Sequence, residues 1–333
     1  MSTSGITCSA CLTGKIKTDT PIGTVEKIFG RDTYVARPLD SKTSNSSAAT
    51  ASGIDAGASG NDDSVKGVQK AKGVIILLSD LFGWEVSNCR LLADSYAKEG
   101  GFLVLLPDFM DGTAPPPWTM QTMDSLLSPS PSLLTTLFKK PLWALQIASQ
   151  AIPFLLRNKQ SVVLPRMLAF HRALRETPPP EMEGLKVGSA GFCWGGKYTI
   201  LLSQGEGDGE GEVGNIKGEN LIDAAFVAHP SKMAFPSDWE KIAVPFSMAI
   251  GDVDMGIKIE HVREIQGVLE KKMKGGVGEG ASVSKDEYVS EVVVYEGAKH
   301  GFAIRGDWED EGQRKSAEAA KGQALGWFAR WLI

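Results

Sequence analysis

Cysteine is scarce in this chain, with four in 333 residues. That is too few for a disulfide framework and suits a compartment in which thiols stay reduced. An excess of positive charge is also missing, since 35 Lys and Arg stand against 40 Asp and Glu for a net charge of -5. No global field exists to hold nucleic acid or an anionic membrane, so a polyanion would need a local basic patch. No apolar run is long enough to cross a bilayer, because the best stretch, 133–156, is broken by Lys139, Lys140, Pro141 and Pro153. Residues 1–15 lack the basic start and apolar run of a secretory signal. These absences predict a cytoplasmic chain with no nucleic-acid and no membrane partner. No repeat at a fixed period is visible either, which sets solenoids aside.

What is present is ordinary globular composition, 42% hydrophobic and 23% charged. Short, nearly continuous apolar runs occur at 74–78, 102–106, 185–189, 222–228, 244–250 and 291–295. Such runs fit strands buried on both faces of a parallel sheet. Helical patterns alternate with them at 88–98, 162–175, 195–202, 258–274 and 313–332. This alternation predicts an α/β fold, a doubly wound and mostly parallel sheet with helices on both faces. The polar, glycine-rich stretches 41–69, 204–218 and 274–287 read as flexible insertions in a single domain spanning 1–333. A GxGxxG register inside the second of them has no strand before it and no helix after it, so it does not read as a dinucleotide site. The proline-punctuated segment 113–158 is expected to pack as short helices over the sheet.

Gly191-Phe192-Cys193-Trp194-Gly195 follows one of these strands and opens a helix. A strand, a G-x-C-x-G turn and a helix form the nucleophile-elbow pattern, with sulfur in place of the usual serine oxygen. At a helix N-terminus the macrodipole favours the thiolate, below the ordinary thiol value near ~8.5. The plain alternative is a buried structural cysteine. A thiol nucleophile needs a base, and the chain holds His171, His229, His261 and His300. His171 and His261 lie in polar helical patterns and are expected on solvated faces. His229 follows a buried strand and could line a pocket. His300 follows the last apolar strand, where a doubly wound sheet has its crevice.

An acid to orient the imidazole should emerge between Cys193 and His300. Gly251-Asp252-Val253-Asp254 ends a strand there; either aspartate could serve, and the Gly-x-x-Asp spacing favours Asp254. The remaining ligands of a calcium loop are absent, and no metal site is predicted. Cys8 and Cys11 form a lone C-x-x-C pair without two further zinc ligands, and read as a reduced pair. Cys89 reads as core packing. Trp84, Trp118 and Trp194 could line a pocket or simply pack.

With these motifs in place, the chain resembles the dienelactone hydrolase family, carboxymethylenebutenolidase-like α/β-hydrolases, most closely its fungal branch. The resemblance rests on Phe192-Cys193-Trp194-Gly195-Gly196, Gly251-Asp252-Val253-Asp254, His300-Gly301-Phe302, Ser79-Asp80-Leu81-Phe82-Gly83 and Pro107-Asp108-Phe109. It implies an α/β-hydrolase fold with a Cys193, Asp254 and His300 triad. It also implies cleavage of a small ester or lactone through an acyl-enzyme, with no cofactor. The backbone N–H groups of Leu81 and Trp194 would form the oxyanion hole. Asp80 stands where bacterial members carry a thiol-controlling glutamate. Ile304 stands where they carry an arginine for the substrate carboxylate, with Arg305 beside it, and a second such arginine is missing from 109–112. Hydrolase therefore carries over more firmly than the natural dienelactone substrate. Two alternatives remain: a catalytically silent small-molecule-binding or regulatory protein on the same fold, and a thiol-transfer protein using Cys193 with Cys8 and Cys11.

Overall fold

The computed structural model describes residues 14–39, 69–129, 132–204, 215–216, 219–275 and 289–333. Cys8, Cys11 and most of the three expected insertions lie outside the described residues. The first elements are a hairpin that the apolar pattern does not announce. Strands β1 (Thr24–Ile28) and β2 (Arg31–Ala36) pair antiparallel around Phe29 and Gly30. Both turn residues have positive φ, 47° and 78°, the geometry whose twist matches the flanking strands. The ring of Phe29 packs edge-on against Phe170 at 5.3 Å, which offsets the cost of that conformation.

β3 (Val74–Leu78) and β4 (Leu103–Pro107), linked through α1 (Ser87–Gly100), are buried at every position. After β4 come α2 (Trp118–Leu127), a π-helical turn over Thr135–Lys139, α3 (Lys140–Arg157) and α4 (Gln160–Glu176). The chain continues through β5 (Val187–Phe192), α5 (Trp194–Leu202) and the two-residue strands β6 (Asn215–Ile216) and β7 (Glu219–Asn220). It ends with β8 (Ala224–Ala228), α6 (Ser237–Glu240), β9 (Phe246–Gly251), α7 (Ile259–Gly275), β10 (Ser290–Tyr295), α8 (Phe302–Arg305) and α9 (Glu311–Leu332).

Eight strands form one sheet in the order β1-β2-β4-β3-β5-β8-β9-β10. The pairings of β2 with β1 and β4 are antiparallel, and the rest are parallel. Alternate residues of β3 divide between two clusters, as the pleat requires. Val74, Ile76 and Leu78 meet Met167, Phe170, Ile200 and Val262 from α4, α5 and α7. Ile75 and Leu77 meet Ala93 and Phe328 from α1 and α9. The sheet is thus covered on both faces, which is why its central strands carry no polar alternation. The ends of β5, β8, β9 and β10 deliver Cys193, His229, Asp254 and His300 to one edge of the sheet.

Segment 113–158 differs from the expected short helices over the sheet. Its main element, α3, runs for 18 residues through Pro153. The side chains it buries, Ile147 and Phe154, join a third cluster with Leu81, Phe82, Met120 and Cys193. This segment therefore covers the strand ends around the thiol. Among the described residues no helix is long and apolar enough to cross a membrane.

Candidate active site

The turn that presents Cys193 is tight for a definite steric reason. Cys193 has φ 49° and ψ -109°, a region costing of order 1–3 kcal/mol for a residue with a Cβ. The turn closes because Gly195 has no side chain: a methyl there would press on the Leu78 carbonyl oxygen and stand 2.6 Å from the Ser79 oxygen. Hydrogen bonds hold the strained residue in place. The Cys193 N–H donates to Ala228 O at 3.2 Å, and its carbonyl accepts from the N–H groups of Gly196 and Ser231 at 3.1 Å each. The Gly195 N–H donates to Ser79 O at 3.1 Å, tying the elbow to the loop after β3.

Opposite the thiol, His300 Nδ1 lies 3.0 Å from each carboxylate oxygen of Asp254. His300 also hydrogen-bonds Cys193, so its ring stands between the carboxylate and the sulfur. Burial opposes a charge on this ring. The negative charge of Cys193, the hydrogen bonds to Asp254 and Cys193, and the charge of Asp254 outweigh it and push His300 up to about 10. The two aspartates after β9 divide their tasks. Asp254 faces the imidazole and accepts from the Gly256 N–H at 2.6 Å, whereas Asp252 accepts from the Gly297 N–H at 2.7 Å and fixes the turn after β10.

Asp80 and Arg305 meet as a fully buried ion pair through the guanidinium Nε. Asp80 also accepts from the Phe82 N–H at 3.0 Å. Burial pushes its carboxyl up, Arg305 partly offsets this, and the nearby Cys193 charge adds to the rise. Arg305 stacks over the Phe82 ring at 5.1 Å. It is engaged inside the protein, where the sequence suggested a group near the substrate. Leu81 packs in the cluster that contains Cys193, and Trp194 begins α5 directly after it. Trp194 contacts Tyr198 at 4.6 Å and Phe154 at 6.4 Å between ring centroids.

Trp84 does not join this group. It packs in the cluster under α1 and α9, beneath the Arg90 guanidinium at 4.7 Å. Trp118 is 41% exposed. His229 is wholly buried, its ring 5.0 Å from that of His300. Burial, then the charges of His300 and Arg305, hold it well below its ordinary value, so it packs as a neutral ring.

His171 corrects the expectation of a solvated face. It is buried with Val163, Met167, Phe170 and Leu174 of α4, a set whose spacing marks one helix face. His261 is exposed, and Cys89 packs in the core. Sequence reasoning passed over Ser231, whose Oγ lies 3.8 Å from Cys193 Sγ. Its signal was position, two residues past His229 at the end of the strand beside β5. No group of three or more His, Cys, Asp and Glu able to hold a metal occurs among the described residues.

Residues 63–332 match the profile of the Dienelactone hydrolase family. The hydrolase pyvD of Aspergillus violaceofuscus is 24% identical over 259 residues, covering 78% of this chain and 81% of that protein. The hydrolase tropI of Talaromyces stipitatus is 24% identical over 273 residues, again covering 78% and 81%. A crystal structure from Klebsiella pneumoniae, described as a dienelactone hydrolase, superposes with a TM-score of 0.52 at 16% identity, covering 94% of this chain and 99% of that one. That likeness is one of fold.

Proposed function

The chain belongs to the dienelactone hydrolase family, and from that membership and the geometry of its site we propose that it is a carboxylic ester hydrolase. Its substrate is a small ester or lactone, cleaved through Cys193, His300 and Asp254. The observation that carries this reading is the position of His300, held by Asp254 at 3.0 Å on one side and bonded to Cys193 on the other. The sulfur attacks the carbonyl carbon while the carbonyl oxygen becomes an oxyanion, which the N–H groups of Leu81 and Trp194 stabilise. Collapse of that intermediate breaks the C–O bond, and His300 passes its proton to the leaving alkoxide. A thioester remains on Cys193. His300, now neutral, takes a proton from water, and the resulting attack expels the Cys193 thiolate, releases the acid and leaves His300 protonated as at the start. Asp254 keeps Nδ1 facing away from the sulfur and balances the imidazolium.

Asp80 has a supporting part. Its carboxylate lies close enough to raise the cost of negative charge on the sulfur, and Arg305 limits that cost. With Arg305 so engaged, the substrate needs no carboxylate to meet it.

The test is to mix the enzyme with an activated aryl ester, quench it, and map the adduct by peptide mass spectrometry. An acyl group on the Cys193 peptide and a burst of aryl alcohol are expected, both lost in Cys193→Ala. Turnover that survives Cys193→Ala would refute the mechanism. Ligand binding with neither burst nor turnover would favour a silent binding protein.

A further inference from the structure

Helix α3 has two apolar faces. Ile147 and Phe154 turn inward, while Leu142, Leu145, Ile152 and Leu156 are 55%, 68%, 57% and 59% exposed. The four outward residues fall on one side of a 3.6-residue helix, with Ser149 among them. Leu137 and Phe138, 65% and 68% exposed, extend the stripe into the preceding turn. Single exposed leucines need no account, but a continuous row this long marks an interaction site.

Charge identifies the partner. Between 125 and 160 the chain carries Lys139, Lys140, Arg157 and Lys159 and no Asp or Glu, within a protein of net charge -5. Lys139 flanks the apolar row at one end and Arg157 and Lys159 at the other, all three exposed, while Lys140 is half-buried and donates to Ser128 O at 2.7 Å. We propose that the outer face of α3 docks on an anionic lipid bilayer, its leucine row entering the headgroup boundary and its flanking cations facing lipid phosphates. A helix with a leucine-rich face and basic flanks, too polar to span, lies in the interface plane. A second copy of the chain fits less well. Paired antiparallel, Lys139 would face Arg157 and Lys159; paired parallel, like cations would face one another. Asp124, which lines one pocket with Lys139, is a single acid against three exposed cations, so either arrangement keeps a net repulsion. The chain's net charge of -5 and the broken run 133–156 speak against a general membrane attraction and against a span, and neither bears on a basic, apolar face lying in the interface. Docking would also place in the interface the helix that covers Cys193 through Phe154.

The experiment is co-sedimentation of the purified full chain with phosphatidylserine/phosphatidylcholine vesicles, and with phosphatidylcholine vesicles alone. Binding to the anionic vesicles, falling with added salt, is expected, with little binding to the neutral ones. Lys139→Gln with Lys159→Gln should weaken it by about 25-fold, at about fivefold per charge. Leu142→Ser with Leu145→Ser should abolish it. Both variants alter exposed side chains, so circular dichroism should show the wild-type melt. No binding to anionic vesicles, or equal binding to both kinds, would overturn the proposal. So would a concentration-dependent dimer, seen by light scattering, that Leu145→Glu disperses.

Discussion

Gly195→Ala tests the elbow most directly. A methyl at this position would stand 2.6 Å from both the Leu78 carbonyl carbon and the Ser79 oxygen, and closer still to the Leu78 oxygen. Contacts of a Cβ under 3.0 Å do not occur, so relief requires a shift of at least 0.4 Å at Ser79 and more at Leu78. All three neighbours are backbone, and no side chain can rotate away. The shift must separate the start of α5 from the loop after β3, stretching the 3.1 Å bond from the Gly195 N–H to Ser79. Those two pieces carry Trp194 and Leu81, whose N–H groups converge on one oxyanion in the proposed mechanism. Displacement of about 1 Å in a catalytic constellation costs on the order of 100-fold. A loss of about 10- to 100-fold in kcat/KM is therefore expected, together with about 1–3 kcal/mol of stability. The assay is turnover of an activated aryl ester beside a thermal melt. Gly322→Ala on α9 is the control: a methyl there meets nothing within 4 Å. It should leave turnover unchanged and stabilise by ~0.4–1 kcal/mol. Wild-type turnover and melting in Gly195→Ala would refute the steric reasoning and the placing of the oxyanion donors with it.

Three further outcomes are expected. Asp254→Asn should lower kcat by about 10³- to 10⁴-fold through loss of imidazole orientation, while Asp252→Asn, which loosens only the turn at Gly297, should cost less than about tenfold; steady-state kinetics on the pair decides. Arg305→Gln leaves the Asp80 carboxylate buried without its cation and should destabilise by about 3–5 kcal/mol. Adding Asp80→Asn should recover part of that in urea midpoints, and no recovery would show that packing alone was lost. His171, lowered to about 4 by burial, makes stability depend on pH. Between about 4 and the ordinary histidine value the unfolded chain binds a proton that the folded chain excludes, so stability falls as pH falls through this window. Roughly 2 kcal/mol should disappear between about pH 7 and pH 4.5. A His171→Phe protein should lack that component, and equal losses in both proteins would refute it.

The sheet's central strands were legible because burial on both faces removes polar alternation, as in β3 and β4. The β1–β2 hairpin was not, since Thr24–Ile28 is largely exposed and its turn uses Phe29 where Asn would have been a signal. Helix α3 escaped for the opposite reason. Its apolar residues lie on two faces, so no single amphipathic period stands out, and Pro153 interrupts what remains. That Cys193, Asp254 and His300 would come together could be read from strand ends and glycine spacing. Arg305 could not be placed, because α8 is a single turn whose direction depends on the positive φ of 88° at Gly301.

The strain at Cys193 explains why glycine spacing alone cannot make an elbow. A residue held at φ 49° would relax unless its surroundings cost more to disturb than the strain releases. Its N–H is bound to Ala228, its carbonyl to Ser231 and Gly196, and the next turn to Ser79. At about 1 kcal/mol each, these four bonds match or exceed the ~1–3 kcal/mol stored in the backbone. The bonds to Ser79, Ala228 and Ser231 reach the turn from the ends of β3 and β8, on either side of β5 in the sheet. The glycines make the conformation sterically possible, and the neighbouring strands make it the lowest in energy. An elbow of this kind is therefore a property of three adjacent strands, and a G-x-C-x-G match in a chain lacking those neighbours would relax into an ordinary turn.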